Sequence, residues 1–151
     1  MTFRIALYEP EIAGNVGAVM RTAACLGASV ELIEPLGFAW DDKRVRRAAM
    51  DYIDHVAVTR HQGFDAFRAA VPGRLVLFTT RASDDAYAFA FRPGDVLLFG
   101  KESAGVPAEV AAQCDARVRL PIRAEVRSMN LATAAAIALA EALRQAGALP
   151  R

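Results

Sequence analysis

Four short stretches hold the residues able to do chemistry. In "EIAGNVGAVMR", residues 11–21, Gly14, Asn15 and Gly17 precede a helical pattern that carries Arg21. A Gly-rich turn from strand to helix can bind phosphate, because free backbone N–H groups and the positive end of the helix dipole meet there. A dinucleotide fingerprint needs G-x-G-x-x-G and an acidic residue about twenty positions on. Here the glycines stand three apart, so that pattern is incomplete. Asn15 is expected to cap the helix through its side chain, and Gly17 to let another backbone or a ligand come near. Arg21 is expected to converge with Asn15 at the carboxyl edge of a sheet; the alternative is a capped helix with a surface arginine.

In "FGKESAGVP", residues 99–107, Gly100 and Gly105 bracket Glu102 directly after an apolar run. A ligand can lie against such open backbone, although a turn with a solvated Glu reads the same way. "LPIRAEVRSMN", residues 120–130, brings Ser128 and Asn130 to the head of a long helix. One cap is enough for a helix, which leaves the other residue to bond something else. In "DDKRVRRAAMDY", residues 41–52, Lys43, Arg44, Arg46 and Arg47 form a local phosphate patch, unless they are simply a solvated helix face. Trp40 and Tyr52 flank the patch, either to stack on bases or to anchor the helix.

The elements that must position these residues alternate. Apolar, strand-like runs lie at 3–8, 29–33, 56–59, 74–80, 95–100 and 116–121. Helical patterns fill the gaps: one runs from Val16 to Leu26 and stops at Gly27, and others fit 41–50, 63–71, 107–113 and 130–146. Such alternation implies a single α/β domain with a mainly parallel sheet and helices on both faces. The last helix is apolar nearly all round, so it is buried or forms an interface, as in a homodimer.

A chain of 151 residues with 54% apolar content can bury one substantial core. With 18 Lys and Arg against 17 Asp and Glu, the net charge of +1 gives no general pull toward nucleic acid, so any RNA site must be local. The N-terminal "TFRIALYEP" is too short for a signal-peptide core or a membrane span, which points to a cytoplasmic protein with no membrane association. Cys25, Cys114, His55 and His61 show no metal-ligand spacing, so neither zinc nor a disulfide framework is expected. Cys25 reads as a buried thiol in an apolar helical pattern.

Taken in order, and across essentially the whole chain, these stretches resemble the three motifs of the SPOUT (SpoU/TrmD) RNA methyltransferases. "LYEPEIAGNVGAVMRTAACLG", "IEPLGFAWDDKRVRRAAMDY", "LLFGKESAGVP" and "RSMNLATAAAIALAEALRQ" look like the family's minimal branch, which has no added RNA-binding domain. The resemblance implies a parallel α/β sheet whose C-terminal segment passes through a loop as a trefoil knot, and a homodimer. It implies transfer of a methyl group from S-adenosylmethionine to the ribose 2′-hydroxyl of nucleotide 34 of tRNA. The acceptor would be a cytidine or modified uridine, in a leucine tRNA, and the product S-adenosylhomocysteine.

By motif matching, Phe78, Thr79, Gly100, Glu102, Leu120, Ile122, Ser128 and Met129 line the cofactor site. Arg21 meets the target ribose or phosphate, Asn15 supports it, and Ser128 and Asn130 complete the site, with one subunit supplying RNA contacts to the other. Lys43, Arg44, Arg46 and Arg47 carry RNA. Val16, Ala18, Lys101, Ala140 and Leu143 depart from the commoner pattern. Methyl transfer from a sulfonium is an in-line displacement governed by positioning, so a site without His or Cys is no objection. Arg21, always a cation, suits stabilisation of the forming alkoxide better than proton abstraction. The competing expectations are a methyltransferase for another tRNA position or rRNA, a noncatalytic RNA-binding module, and a nucleotide-binding regulatory domain.

Overall fold

Strand-by-strand alternation of buried side chains divides this chain between the two faces of one sheet. The computed structural model describes residues 2–50 and 52–151. Its elements are β1 (Arg4–Tyr8), α1 (Ala13–Leu26), β2 (Ser29–Ile33), α2 (Asp42–Ala49), a 3-10 turn (Tyr52–His55), β3 (Val58–His61), α3 (Phe64–Ala70), β4 (Leu75–Phe78), β5 (Val96–Phe99), α4 (Ala108–Ala112), β6 (Ala116–Val118) and α5 (Leu131–Ala146). The strands lie in the order β3-β2-β1-β5-β4-β6, and every pairing is parallel.

Ile5, Leu7, Val30, Leu32, Val76, Phe78, Leu97 and Phe99 face one way and pack with α1 and α5. Ala6, Tyr8, Ile33, Leu75, Leu77, Val96 and Leu98 face the other and pack with α3 and α4. The period of two sorts each strand between two cores, and burial on both faces is why β4, β5 and β1 beyond Arg4 read as apolar runs. The buried face of α5 includes Leu131, Ala135, Ala138, Leu139 and Ala142. Glu31 is buried within β2: its carboxylate pairs with His61 Nε2 at 2.8 Å and lies 3.6 Å from Arg4 Nη1.

The structure moves several sequence expectations. β3 occupies 58–61 and not 56–59, because it is an edge strand whose Thr59 and Arg60 are exposed, so its apolar content does not mark its place. β6 ends at Val118. Cys25 is exposed, not buried: the buried stripe of α1 runs through Val16, Val19, Met20 and Ala23, and two further residues carry the chain about 200° round the helix. Cys114 is the buried thiol. Gly17 makes room for α2, since a methyl group there would overlap Ala48.

Three helix boundaries follow from their end residues. Asp41 caps α2 by accepting from the amides of Lys43 and Arg44, and Asn130 caps α5 by accepting from Thr133. Gly27, at φ 81, ends α1 in the left-handed conformation that suits glycine. The start of α1 differs from expectation. Its cap position is Ile12, which offers no side-chain acceptor, and Asn15 is already inside the first turn. Asn15 is therefore not a cap, and its side chain is directed elsewhere.

Candidate active site

The loops 9–12 and 100–105 leave the carboxyl ends of β1 and β5, neighbouring strands on either side of the point where the strand order reverses. Open α/β sheets bind ligands at such a crevice. Here the crevice is a groove of about 1620 Å³. Phe78, Thr79, Gly100, Glu102, Leu120, Ile122, Ser128 and Met129 all line it, together with Asn15 and Asn130. Residues from three separate loops thus meet in one place.

Each wall has a local cause. Phe78, the last residue of β4, stacks on Phe99 with ring centroids 4.9 Å apart and on Phe91 at 6.0 Å, giving an aromatic base. Gly100 and Gly105 lie so close that a Cβ on Gly100 would sit 2.5 Å from the Gly105 carbonyl carbon. Lys101 and Gly105 exchange both backbone hydrogen bonds, at 3.0 and 2.9 Å, and Gly105 adopts φ 67. This tight turn presents Glu102 and Ser103 across the crevice to the loop after β1.

There Glu102 Oε2 accepts from Asn15 Nδ2 at 3.1 Å, and Glu102 Oε1 from the Glu11 amide at 3.2 Å. Asn15 Oδ1 accepts from Asn130 Nδ2 at 3.2 Å, and Asn130 Oδ1 accepts from the Thr133 amide at 3.1 Å. The relay fixes which end of each amide faces which partner. It also gives Asn130 two tasks, capping α5 and holding Asn15. Ser128 stands on the groove wall and makes no cap to α5.

Glu11 and Ser103 were not singled out by the sequence. The Glu11 carboxylate accepts from the Ser103 amide and from its hydroxyl, both at 2.9 Å. These two bonds hold the Glu11 carboxyl below the usual carboxylate range. Beside them Lys101 Nζ lies 3.6 Å from Glu9 Oε1. Nothing in a local window distinguishes such acids from solvated loop residues; the one hint is their number in "EPE" directly after a buried strand.

Arg21 is not brought to this groove. Six residues beyond Asn15 on α1, it points about 120° away from it round the helix axis. Its guanidinium meets Met50 Sδ and lies 5.4 Å from the Tyr52 ring centroid. Convergence of Arg21 with Asn15 within one chain is thereby corrected. Lys43, Arg44, Arg46 and Arg47 are exposed on α2, which packs against α1, and Arg46 approaches Asp54 at 3.8 Å. Trp40 serves as an anchor: its Nε1 donates to Asp42 Oδ1 at 2.7 Å and Arg60 lies over its ring at 4.9 Å.

The groove has the character of a site for a nucleoside-containing ligand. Phe78, Leu120, Ile122 and Met129 offer apolar surface, while the glycine turn offers backbone at close range. Among the described residues no cluster of His, Cys, Asp or Glu could hold a metal ion, and no helix is long and apolar enough to cross a membrane.

Comparison with known proteins gives the same picture over nearly the whole chain. A tRNA (cytidine(34)-2′-O)-methyltransferase of Beijerinckia indica is 53% identical over 97% of this chain and 94% of its own length. The protein of that name from Escherichia coli K12 is 44% identical over 95% and 93%. A solved structure concerned with the 2-OH methylation of C/U34 on tRNA superposes with a TM-score of 0.92 at 43% identity, covering 97% of each chain. The SpoU methyltransferase AviRb from Streptomyces viridochromogenes, solved in complex with AdoMet, gives a TM-score of 0.83 at 28% identity, over 96% of this chain and 60% of its own. Residues 2–140 match the SpoU rRNA Methylase family. With its motifs, its parallel sheet and these relatives in agreement, the chain belongs to that family.

Proposed function

We propose that this chain transfers a methyl group from S-adenosylmethionine to the ribose 2′-hydroxyl of nucleotide 34, cytidine or modified uridine, of tRNA, with a leucine tRNA as an acceptor and the cytoplasm as its place of work. The observation that carries this reading is the meeting of Phe78, Gly100, Leu120, Ile122 and Met129 in one groove beside the Asn15–Glu102–Asn130 relay. The relatives named for the same reaction match along nearly their full length.

S-adenosylmethionine supplies an electrophilic methyl carbon on a sulfonium centre. Phe78, Thr79, Leu120, Ile122 and Met129 would hold its apolar parts, and the backbone around Gly100, Glu102 and Ser128 its polar ones. Asn15, fixed from both ends by Glu102 and Asn130, would orient the acceptor ribose. Positioning of this kind is the main contribution a protein can make to an in-line displacement.

Arg21 would stabilise the negative charge that develops on the 2′-oxygen as its proton passes to solvent. Since Arg21 is directed away from its own groove, this assignment calls for a homodimer in which one protomer's Arg21 reaches the acceptor bound by its partner. Lys43, Arg44, Arg46 and Arg47, on the helix beside Arg21, would take the tRNA backbone. A trefoil knot also belongs to this reading. The segment after β6 supports it, since Arg119 bonds the backbone of Asp84 and Ala86 within the β4–β5 connection before the chain returns to α5 against α1.

The test supplies purified protein with labelled S-adenosylmethionine and bulk tRNA, and maps the methylated nucleotide. Label at the 2′-oxygen of nucleotide 34 is expected; cofactor binding without tRNA methylation overturns the reading. Arg21→Ala is expected to keep cofactor affinity in calorimetry and to lose most methyl transfer. An active Arg21→Ala enzyme sinks its assigned role.

A further inference from the structure

Two glutamates cross between the loops that frame the groove. The backbone of Glu11 donates to Glu102, while the side chain of Glu11 accepts from Ser103, the next residue along. The partners lie 91 and 92 positions apart in the chain. This crossing stands where a local cap is missing: Ile12 gives the head of α1 no side-chain acceptor, so the adjacent sequence does not fix the direction in which Asn15 enters the groove. The fastening comes from across the crevice. Glu9, the residue that opens the loop, is held at φ 43, a costly conformation for a residue with a Cβ, and Lys101 of the facing loop approaches its carboxylate at 3.6 Å. From the opposite side Gly37 donates to Pro10 O at 2.9 Å, with no space for a Cβ against Glu11 Cα.

We propose that Glu11 is a positioning residue for methyl transfer. Its carboxylate grips Ser103, the grip keeps Glu102 seated between the Glu11 amide and Asn15, and the relay through Asn15 to Asn130 is thereby set against the groove wall. Glu11 itself lines a small separate hollow of about 120 Å³ with Glu9, Pro35, Leu36, Gly37 and Lys101, not the groove, so it acts through its neighbours. The inference rests on the function proposed above. An ionised carboxylate suits the task because it offers two acceptor atoms to the two donors of Ser103. A carboxamide keeps one acceptor and makes a weaker clasp.

The experiment compares Glu11→Ala, Glu11→Gln, Ser103→Ala and the Glu11→Ala/Ser103→Ala double variant with the intact chain. It measures kcat and KM for tRNA per cofactor-binding site, S-adenosylmethionine affinity by calorimetry, and amide exchange across 100–105. Glu11→Ala is expected to lower kcat by roughly ten- to a hundredfold, the scale of a small misplacement of reacting groups. Cofactor affinity should fall by clearly less than kcat does, which separates transfer from donor binding. Ser103→Ala should reproduce the loss, Glu11→Gln should recover part of it, and the double variant should be no worse than either single one, because all break one clasp. Exchange at 100–105 should quicken in each.

A merely structural role would reduce the number of binding-competent sites and leave kcat per site intact. Full kcat in Glu11→Ala, a parallel loss of cofactor affinity, or additive losses in the double variant each overturn the proposal; should Glu11→Ala not fold, Ser103→Ala breaks the same clasp from its other side and decides the matter. An intact chain that binds cofactor and methylates no tRNA removes the functional reading and this inference with it.

Discussion

Gly17 and Gly14 lie one turn apart on α1, and the same substitution at the two positions should act with opposite sign. A methyl group at Gly17 would overlap the Ala48 side chain and come within 3.1 Å of the Ala48 Cα and carbonyl carbon. Replacing glycine by alanine inside a helix gains about 0.5–1 kcal/mol, whereas overpacking a close contact costs about 1–3 kcal/mol. Backbone cannot turn aside as a flexible side chain would, so the cost wins, by up to about 2.5 kcal/mol. In a domain of this size each kcal/mol moves Tm by about 2–4 °C, so Gly17→Ala should melt lower, by up to roughly 10 °C. At Gly14 nothing lies within 4 Å and its φ is not positive, so Gly14→Ala should melt up to a few degrees higher. Calorimetric unfolding of the two variants beside the unaltered chain is the assay. If Gly17→Ala is stabilised as much as Gly14→Ala, the close approach of α1 and α2 is not what places glycine there.

Replacing Arg44, Arg46 and Arg47 by glutamine should weaken tRNA binding and flatten its dependence on salt, by about 0.7–0.9 in log–log slope for each phosphate no longer neutralised; an unchanged slope removes α2 from the RNA interface. Glu11 titrates below its ordinary value of 4.5 in the folded chain, so the stability it contributes is present above that value and fades as pH falls through the folded one. The Tm gap between the unaltered chain and Glu11→Gln should therefore close in acid; a constant gap across roughly pH 3 to 7 contradicts the clasp. Burial pushes the Cys114 thiol up to about 11, while Cys25 is exposed, so a thiol reagent at neutral pH should label one cysteine in the native protein and two in denaturant. Labelling of both without unfolding counts against the packing around Cys114.

Much of the fold was legible because buried parallel strands and amphipathic helices write themselves into a chain at short range. "IALY", "LVLF" and "VLLF" read as strands covered on both faces, and Gly27, Asp41 and Asn130 marked helix ends by their own chemistry. Where local signal failed, tertiary position had overridden it. β3 lies at an edge and exposes polar residues, and Cys25 falls on the outer side of a helix whose composition is apolar. Asn15 looked like a cap since short polar residues at a helix head usually are; its actual partners lie 87 and 115 positions away. The groove residues could be found singly through their motifs. That Glu11 and Ser103 fasten those motifs together is a relation between distant segments, and it leaves no pattern in either.

The same distances bear on when the site comes into being as the chain folds. β1, α1 and β2 arise from consecutive residues and can associate early, yet the contacts that fix the loop after β1 wait for partners at 102, 103 and 130. Closing a loop of some ninety residues costs about 2 kcal/mol more in chain entropy than closing one of ten, a sum that the intervening sheet must supply before the clasp can form. Growing from its N-terminus, the chain therefore has Glu11 and Asn15 in hand long before it has the partners that fix them.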